Sequence, residues 1–316
     1  MEKRQLGNSD LHIYPVVFGG NVFGWTIDEK RSFALLDKFT AAGFNCIDTA
    51  DVYSRWASGN SGGESETIIG NWMHKHKNRD QLIIATKVGS DMGNGSKGLK
   101  KEYIIKEVEA SLKRLQTDYI DLYQTHFDEE STPVEETLSA YDELVKAGKV
   151  RYIGASNMSP ERLKESLAAS LSNGFPEYQT LQPHYNLYAR EDFENKYEPI
   201  CLGHGLGVIT YYSLESGFLT GKYRSKEDLD KSPRGGNMAK YFDDRGLKIL
   251  TALDEVSQEF NTTPAAVALA WLIHRPSVTA PIVSATNLQQ LDSIIAAPDL
   301  DLGATVIGKL TAASAF

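Results

Sequence analysis

A chain of 316 residues, 41% of them hydrophobic and 24% charged, can bury a large core, and its ordinary Gly and Pro content excludes collagen-like or low-complexity architectures. The net charge of −9 argues against an extended basic face for nucleic acid. The two cysteines, Cys46 and Cys201, sit far apart and supply neither a disulfide framework nor a thiolate metal site, which fits a reducing cytoplasm.

From the N-terminus, MEKRQLGNSDLHIYP has no long apolar stretch behind its basic residues. No later window approaches the roughly 20 apolar residues of a membrane span, so a soluble, unsecreted chain without a membrane partner is expected. Short apolar runs of strand length then alternate with segments of helical period. The expected strands are residues 13–20, 44–50, 82–88, 119–126, 150–156, 178–183, 207–212 and 279–285. Between the first two, EKRSFALLDKFTAAG places Phe33, Leu36 and Phe39 on one helical face and ends at Gly43. Further helices are expected over 101–115, 133–148, 159–174 and 263–275, with Pro at opening turns and Gly at closing ones.

Eight apolar strands separated by helices predict an α/β fold, a single-domain (β/α)8 TIM barrel over residues 1–316, because parallel strands buried on both faces need helical crossovers. The rival, a doubly wound open sheet, lacks support: the first strand-to-helix connection, FGGNVFGWTIDEK, has no GxGxxG phosphate turn. Two long loops, 53–63 and 213–243, follow strands at their C-terminal ends, the face on which barrel enzymes place their sites.

Four polar residues are expected to meet there. Asp48 ends the second strand, Tyr53 begins the loop after it, Lys87 ends the third strand and His126 the fourth. Neighbouring barrel strands allow them to converge. Such a group suits proton transfer to a carbonyl oxygen: an adjacent ammonium, Lys87, would lower the pKa of Tyr53, Asp48 would anchor Lys87, and His126 would orient the carbonyl. None of the four donates hydride, so a nicotinamide cofactor is required. Taken singly, each residue has a plain structural alternative as a cap, a solvated charge or a satisfied core group. His74 and His76, spaced by two on a basic helix end, read as a solvated face, so no metal is expected. His274 reads as a helix cap, and His184 is notable only as a neighbour of Gln182.

These residues and the segments GFNCIDTADVYS, GGESETIIG, ATKVG, DLYQTHFD and KVRYIGASN are similar to motifs of the aldo-keto reductase family, a resemblance that runs from Leu6 to about residue 296. It implies catalytic Asp48, Tyr53, Lys87 and His126, with Tyr53 as general acid. It also implies cofactor contacts from Gly20, Asn21, Asp48, Ser156, Asn157 and Gln182, and a nicotinamide stacked on Tyr211. Pyrophosphate would lie against Leu214, Gly217 and Lys222, and the adenosine end against Arg234, Ser284, Thr286 and Gln290. Trp25, Tyr53, Trp56, His126 and Phe127 would line a pocket for a carbonyl or alcohol substrate. Ser284, Thr286 and Asn287 stand where many members carry Lys or Arg for a 2′-phosphate, and Ile294 replaces a usual Asn. NADP(H), the first expectation, therefore rests on Arg234 and Thr286, and these departures make NAD(H) or dual use the alternative. Phe127 replaces a frequent Trp, and Tyr212-Ser213 a frequent Ser-Pro. A second class, a nicotinamide-sensing regulatory or scaffold subunit resembling the channel-associated branch, is weakened by the complete tetrad.

Overall fold

The computed structural model describes residues 2–93, 95, 97–231 and 235–316. An antiparallel pair, β1 (Arg4–Gln5) and β2 (His12–Ile13), precedes the strands Val17–Gly19 (β3), Cys46–Asp48 (β4), Ile83–Val88 (β5), Ile120–Thr125 (β6), Val150–Ser156 (β7), Tyr178–Gln182 (β8), Gly207–Thr210 (β9) and Ala280–Val283 (β10). Among the described residues these eight close into a parallel barrel in the order β10-β3-β4-β5-β6-β7-β8-β9. The expected fold is therefore the one observed, with shorter strands at several positions.

The first expected strand, 13–20, divides. Ile13 pairs in the hairpin, and only Val17–Gly19 enters the barrel. The hairpin turn carries Gly7 at φ +63°, where a Cβ would lie 2.0 Å from the Gln179 carbonyl oxygen, so the turn presses directly on the barrel floor. Leu6, Leu11 and Ile13 join Val17, Cys46, Ile83, Ala85, Leu122, Ile209, Ala280 and Ile282 in one buried cluster that plugs that end.

The helices are α1 (Glu29–Ala41), α2 (Glu64–His76), α3 (Lys101–Leu115), α4 (Val134–Lys146), α5 (Pro160–Asn173), α6 (Glu198–His204), α7 (Asp244–Glu259), α8 (Pro264–Ile273), α9 (Leu288–Ala296) and α10 (Gly303–Ala313). Their starts follow local chemistry: Asp28, Ser159, Thr263 and Asn287 each accept the backbone N–H three residues on, and Pro160 and Pro264 open their helices. In α1 the buried stripe is Ser32, Leu35, Leu36 and Phe39, whereas Phe33 is only half-buried. α8 is buried on every side from Ala265 to Ile273, packed against α7 and α9, and His274 caps its C-terminus through Nδ1 to the Ala270 carbonyl at 2.7 Å. Among the described residues no helix is long and apolar enough to cross a membrane.

Barrel register does the positioning. Asp48 lies beside Gly19 and Ala85, Lys87 beside Gln124, and Ser156 beside Gln182, so the polar ends of β4, β5, β6, β7 and β8 share one rim.

Candidate active site

Lys87 sits at the centre of that rim, fully buried. Its Nζ donates to Asp48 Oδ2 at 2.6 Å, to the Thr49 carbonyl at 2.8 Å and to Tyr53 Oη at 2.8 Å. Three oxygen acceptors match the three N–H groups of an ammonium. Burial lowers the Lys87 pKa from its ordinary value, and the Asp48 carboxylate opposes that fall. Asp48 is held in turn on its other oxygen, Oδ1 accepting from Gln182 Nε2 at 2.9 Å and Gln124 Nε2 at 3.2 Å. A charge this deep requires such partners.

The expectation that Lys87 would draw the Tyr53 pKa down is not met in the resting site. Burial raises it well above the usual phenol value, and the nearby Asp48 carboxylate raises it further. Tyr53 therefore rests as a protonated phenol with a cation against its oxygen. His126 lies edge-on to Tyr53, ring centroids 5.8 Å apart, and its Nδ1 is 2.8 Å from Ser90 Oγ. Burial first, and the Lys87 charge second, push its pKa well down, so the ring is neutral at pH 7.

The 53–63 loop is pinned by its own sequence. Ser54, in the left-handed region at φ +75°, donates to the Phe23 carbonyl at 2.5 Å, and Asn60 Nδ2 donates to the carbonyls of Gly24 and Ser54 at 2.9 Å each. The pinning brings Trp56 edge-to-face with Trp25 at 5.5 Å and with Tyr53 at 6.1 Å. Phe127 stacks on His126 at 4.9 Å. Trp56, Phe127 and Tyr212 remain about half exposed, an aromatic rim around the tetrad. Arg55, the cation nearest in sequence, donates to the Asp91 carbonyl at 3.0 Å.

A second group adjoins the tetrad. Tyr211 Oη donates to Asn157 Oδ1 at 3.0 Å; Asn157 Nδ2 donates to Ser156 Oγ at 3.0 Å and to the His126 carbonyl at 2.9 Å; Ser156 Oγ donates to the Gln182 carbonyl at 3.0 Å. The structure brings these four together as neighbours, and sequence reasoning missed what supports Tyr211. His184 stacks on its ring at 5.4 Å and 19°, and pairs through Nε2 with Glu215 Oε2 at 2.7 Å. Burial works against the Glu215 charge, but bonds from His184, Tyr241 and Asn186 hold its pKa below the ordinary value. The one clue in the sequence is His184 two residues beyond Gln182.

Further along the rim, Glu215, Ser216 and Gly217 all lie at positive φ, Leu214 accepts the Gly217 N–H at 2.9 Å, and the Lys222 chain lies over Gly217. Ser284 Oγ is 2.6 Å from Asn21 Oδ1 and 2.7 Å from the Gly19 carbonyl, next to Gly20, whose Cβ position would be 2.8 Å from Ser65 Oγ. Thr286 and Gln290 bond one another at the start of α9, where Gln290 Oε1 accepts from Thr286 N at 2.8 Å. Arg234 lies outside the described residues. Among those described, no group of three or more His, Cys, Asp or Glu is placed to hold a metal ion. His76 faces Asp37 at 3.3 Å.

Comparison with known proteins places the chain in a family. The chain is 34% identical to the uncharacterized oxidoreductase YrpG of Bacillus subtilis (strain 168), over 98% of this chain and 95% of that protein. It is 32% identical to aldo-keto reductase AFTS1 of Alternaria alternata, over 95% and 88%. It is 31% identical to a probable voltage-gated potassium channel subunit beta of Arabidopsis thaliana, over 95% and 92%. The model of the aldo/keto reductase family matches residues 15–315, the whole barrel with its rim, and the chain belongs to that family.

Proposed function

We propose that this protein is a cytoplasmic, single-domain oxidoreductase that interconverts an aldehyde or ketone with its alcohol, using NADP(H) by first preference and NAD(H) as the alternative. The observation that carries the reading is one buried ammonium, Lys87, bonded to both Asp48 and Tyr53 beside a neutral His126.

The residues present fit a nicotinamide cofactor. Tyr211 offers a half-buried ring braced from one side by His184, and amide and hydroxyl groups of Asn157, Ser156 and Gln182 gather beside it. These suit a neutral ring bearing a carboxamide. Leu214, Gly217 and Lys222 would hold the pyrophosphate, and Gly20, Asn21, Ser284, Thr286, Gln290 and Arg234 the remaining length. When bound, the cofactor supplies hydride to the carbonyl carbon.

This chain's own residues would manage the oxygen. Tyr53 Oη gives its proton to the carbonyl oxygen, and the Lys87 ammonium stabilises the phenolate left behind. Asp48 fixes Lys87 through the rim, and His126 orients the oxygen. Trp25, Trp56, Phe127 and Tyr212 would form apolar walls, and with Arg55 turned to a backbone carbonyl, uncharged aromatic or apolar carbonyls are favoured over carboxylate-bearing ones.

Purified protein given reduced cofactor and a panel of carbonyls should consume the cofactor, fastest with aromatic aldehydes. Tyr53→Phe should cut kcat by about 10²–10⁴-fold while leaving cofactor Kd near that of the parent. Full activity in that variant would remove the acid assignment. The plant relative's name supports a regulatory reading of the same barrel; tight cofactor binding with no turnover across the panel would favour it.

A further inference from the structure

We propose that Ser90 is a positioning residue that fixes His126 as the Nε2–H tautomer by donating its hydroxyl proton to Nδ1. The kinetic part of this proposal rests on the reductase reading above; the tautomer part does not.

A neutral imidazole carries one proton, and which nitrogen holds it decides whether the ring can donate to a carbonyl oxygen or only present a lone pair to it. The His126 backbone is tied by its N–H to the Val88 carbonyl at 2.8 Å, directly across from the end of β5. The chain leaves β5 through Gly89 at φ +113°, where a Cβ would stand 3.0 Å from Leu99 Cδ2 and 3.2 Å from the Phe127 carbonyl oxygen. That turn delivers Ser90, only 6% exposed, to 2.8 Å from Nδ1.

Two arrangements of protons are possible across this contact. If Nδ1 carried the proton and donated to Oγ, the Ser90 hydroxyl proton would need another acceptor, and among the described residues Ser90 has no hydrogen-bond partner except His126. A buried hydroxyl proton without an acceptor is disfavoured. If Ser90 donates to Nδ1, its proton is used, and the ring proton moves to Nε2, the nitrogen with no partner among the described residues. Nε2–H is then the donor left for a substrate oxygen. The same contact opposes a flip of the ring, which would put a carbon where Nδ1 stands. Stacking on Phe127 and edge contact with Tyr53 hold the ring plane but do not distinguish its nitrogens. Only Ser90 does.

The test is nitrogen-15 to proton correlation of the histidine rings in protein labelled at histidine, with His126→Asn to assign the signal. Parent protein should show His126 protonated at Nε2 and bare at Nδ1. Ser90→Ala should move the proton wholly or partly to Nδ1, and Ser90→Thr, which keeps the hydroxyl, should restore the parent pattern. With a substrate from the carbonyl panel, Ser90→Ala should lower kcat on the order of ten-fold at unchanged cofactor Kd, and Ser90→Thr should recover most of it. A proton on Nδ1 in the parent, or the same ring pattern in parent and Ser90→Ala, overturns the proposal. So does an unchanged kcat in Ser90→Ala when its tautomer has shifted. If no carbonyl is reduced at all, the reductase reading fails while the ring measurement still decides the tautomer.

Discussion

Replacing Lys87 with Met keeps the unbranched chain up to Cε and removes the charged Nζ, which separates what the Lys87–Asp48 pair does for the fold from what it does for chemistry. Both groups are buried, with side-chain exposures of 0% and 1%. Deleting one partner of such a pair costs about 3–5 kcal/mol, because the other charge stays in place without compensation. Asp48 keeps two amide donors, Gln182 and Gln124, on its other oxygen, which places the expected loss near the lower end, about 3 kcal/mol. Adding Asp48→Asn removes the stranded charge, so the double variant should regain about 2 kcal/mol of that loss. Activity should behave differently. Lys87→Met leaves no cation against Tyr53 Oη, and kcat should fall by about 10²–10⁴-fold in the single and the double variant alike. Urea denaturation followed by tryptophan fluorescence, with the chain's four Trp as probes, measures the first quantity, and cofactor consumption the second. A single variant as stable as the parent, or a double variant less stable than the single, refutes the view that the pair is held together by mutual charge compensation. Activity returning together with stability would show that Lys87 acts only through the fold.

Two further outcomes follow from features outside the tetrad. Asp51 is buried with Oδ2 unpartnered among the described residues, and burial followed by Glu66 and Glu107 raises its pKa well above the ordinary value. A folded pKa above the unfolded value of about 4 means that stability is fully present below that pH and declines as pH rises toward the folded pKa. Asp51→Asn cannot ionise, so its stability advantage over the parent should grow between pH 5 and pH 8 in paired urea titrations; a constant difference across that range would show that Asp51 does not titrate differently on folding. Gly7→Ala would place a methyl group 2.0 Å from the Gln179 carbonyl oxygen at positive φ, and should destabilise by about 2–4 kcal/mol with little effect on cofactor Kd. Calorimetric unfolding with a cofactor titration checks both halves.

The tetrad was legible because each member ends a strand or begins the loop after one, and strand ends can be read from local apolar runs. Asp48 and Lys87 are at or next to the ends of strands that pair directly, so knowing the order of strands nearly fixes their meeting. Ser90 was not legible: a Ser after a Gly in a loop has no periodic signal, and its partner lies 36 positions away. The same holds for the brace behind Tyr211, where Glu215 joins His184, Asn186 and Tyr241 from three segments. Phe33 and Leu35 exchanged places in the α1 stripe because the edge of an apolar face is set by the neighbouring helix and strand as well as by the period.

The alternation of eight apolar runs with helical segments determined the barrel, and with it the face where the polar strand ends gather, because burial on both faces leaves parallel strands few other architectures. Closure and register decided the rest. They placed one ammonium among three oxygens, set Ser90 against His126, and put Tyr53 where desolvation first and the Asp48 carboxylate second raise a pKa that Lys87 alone would have lowered. Desolvation and mutual distance belong to residues far apart in the chain, and only the folded barrel brings them together.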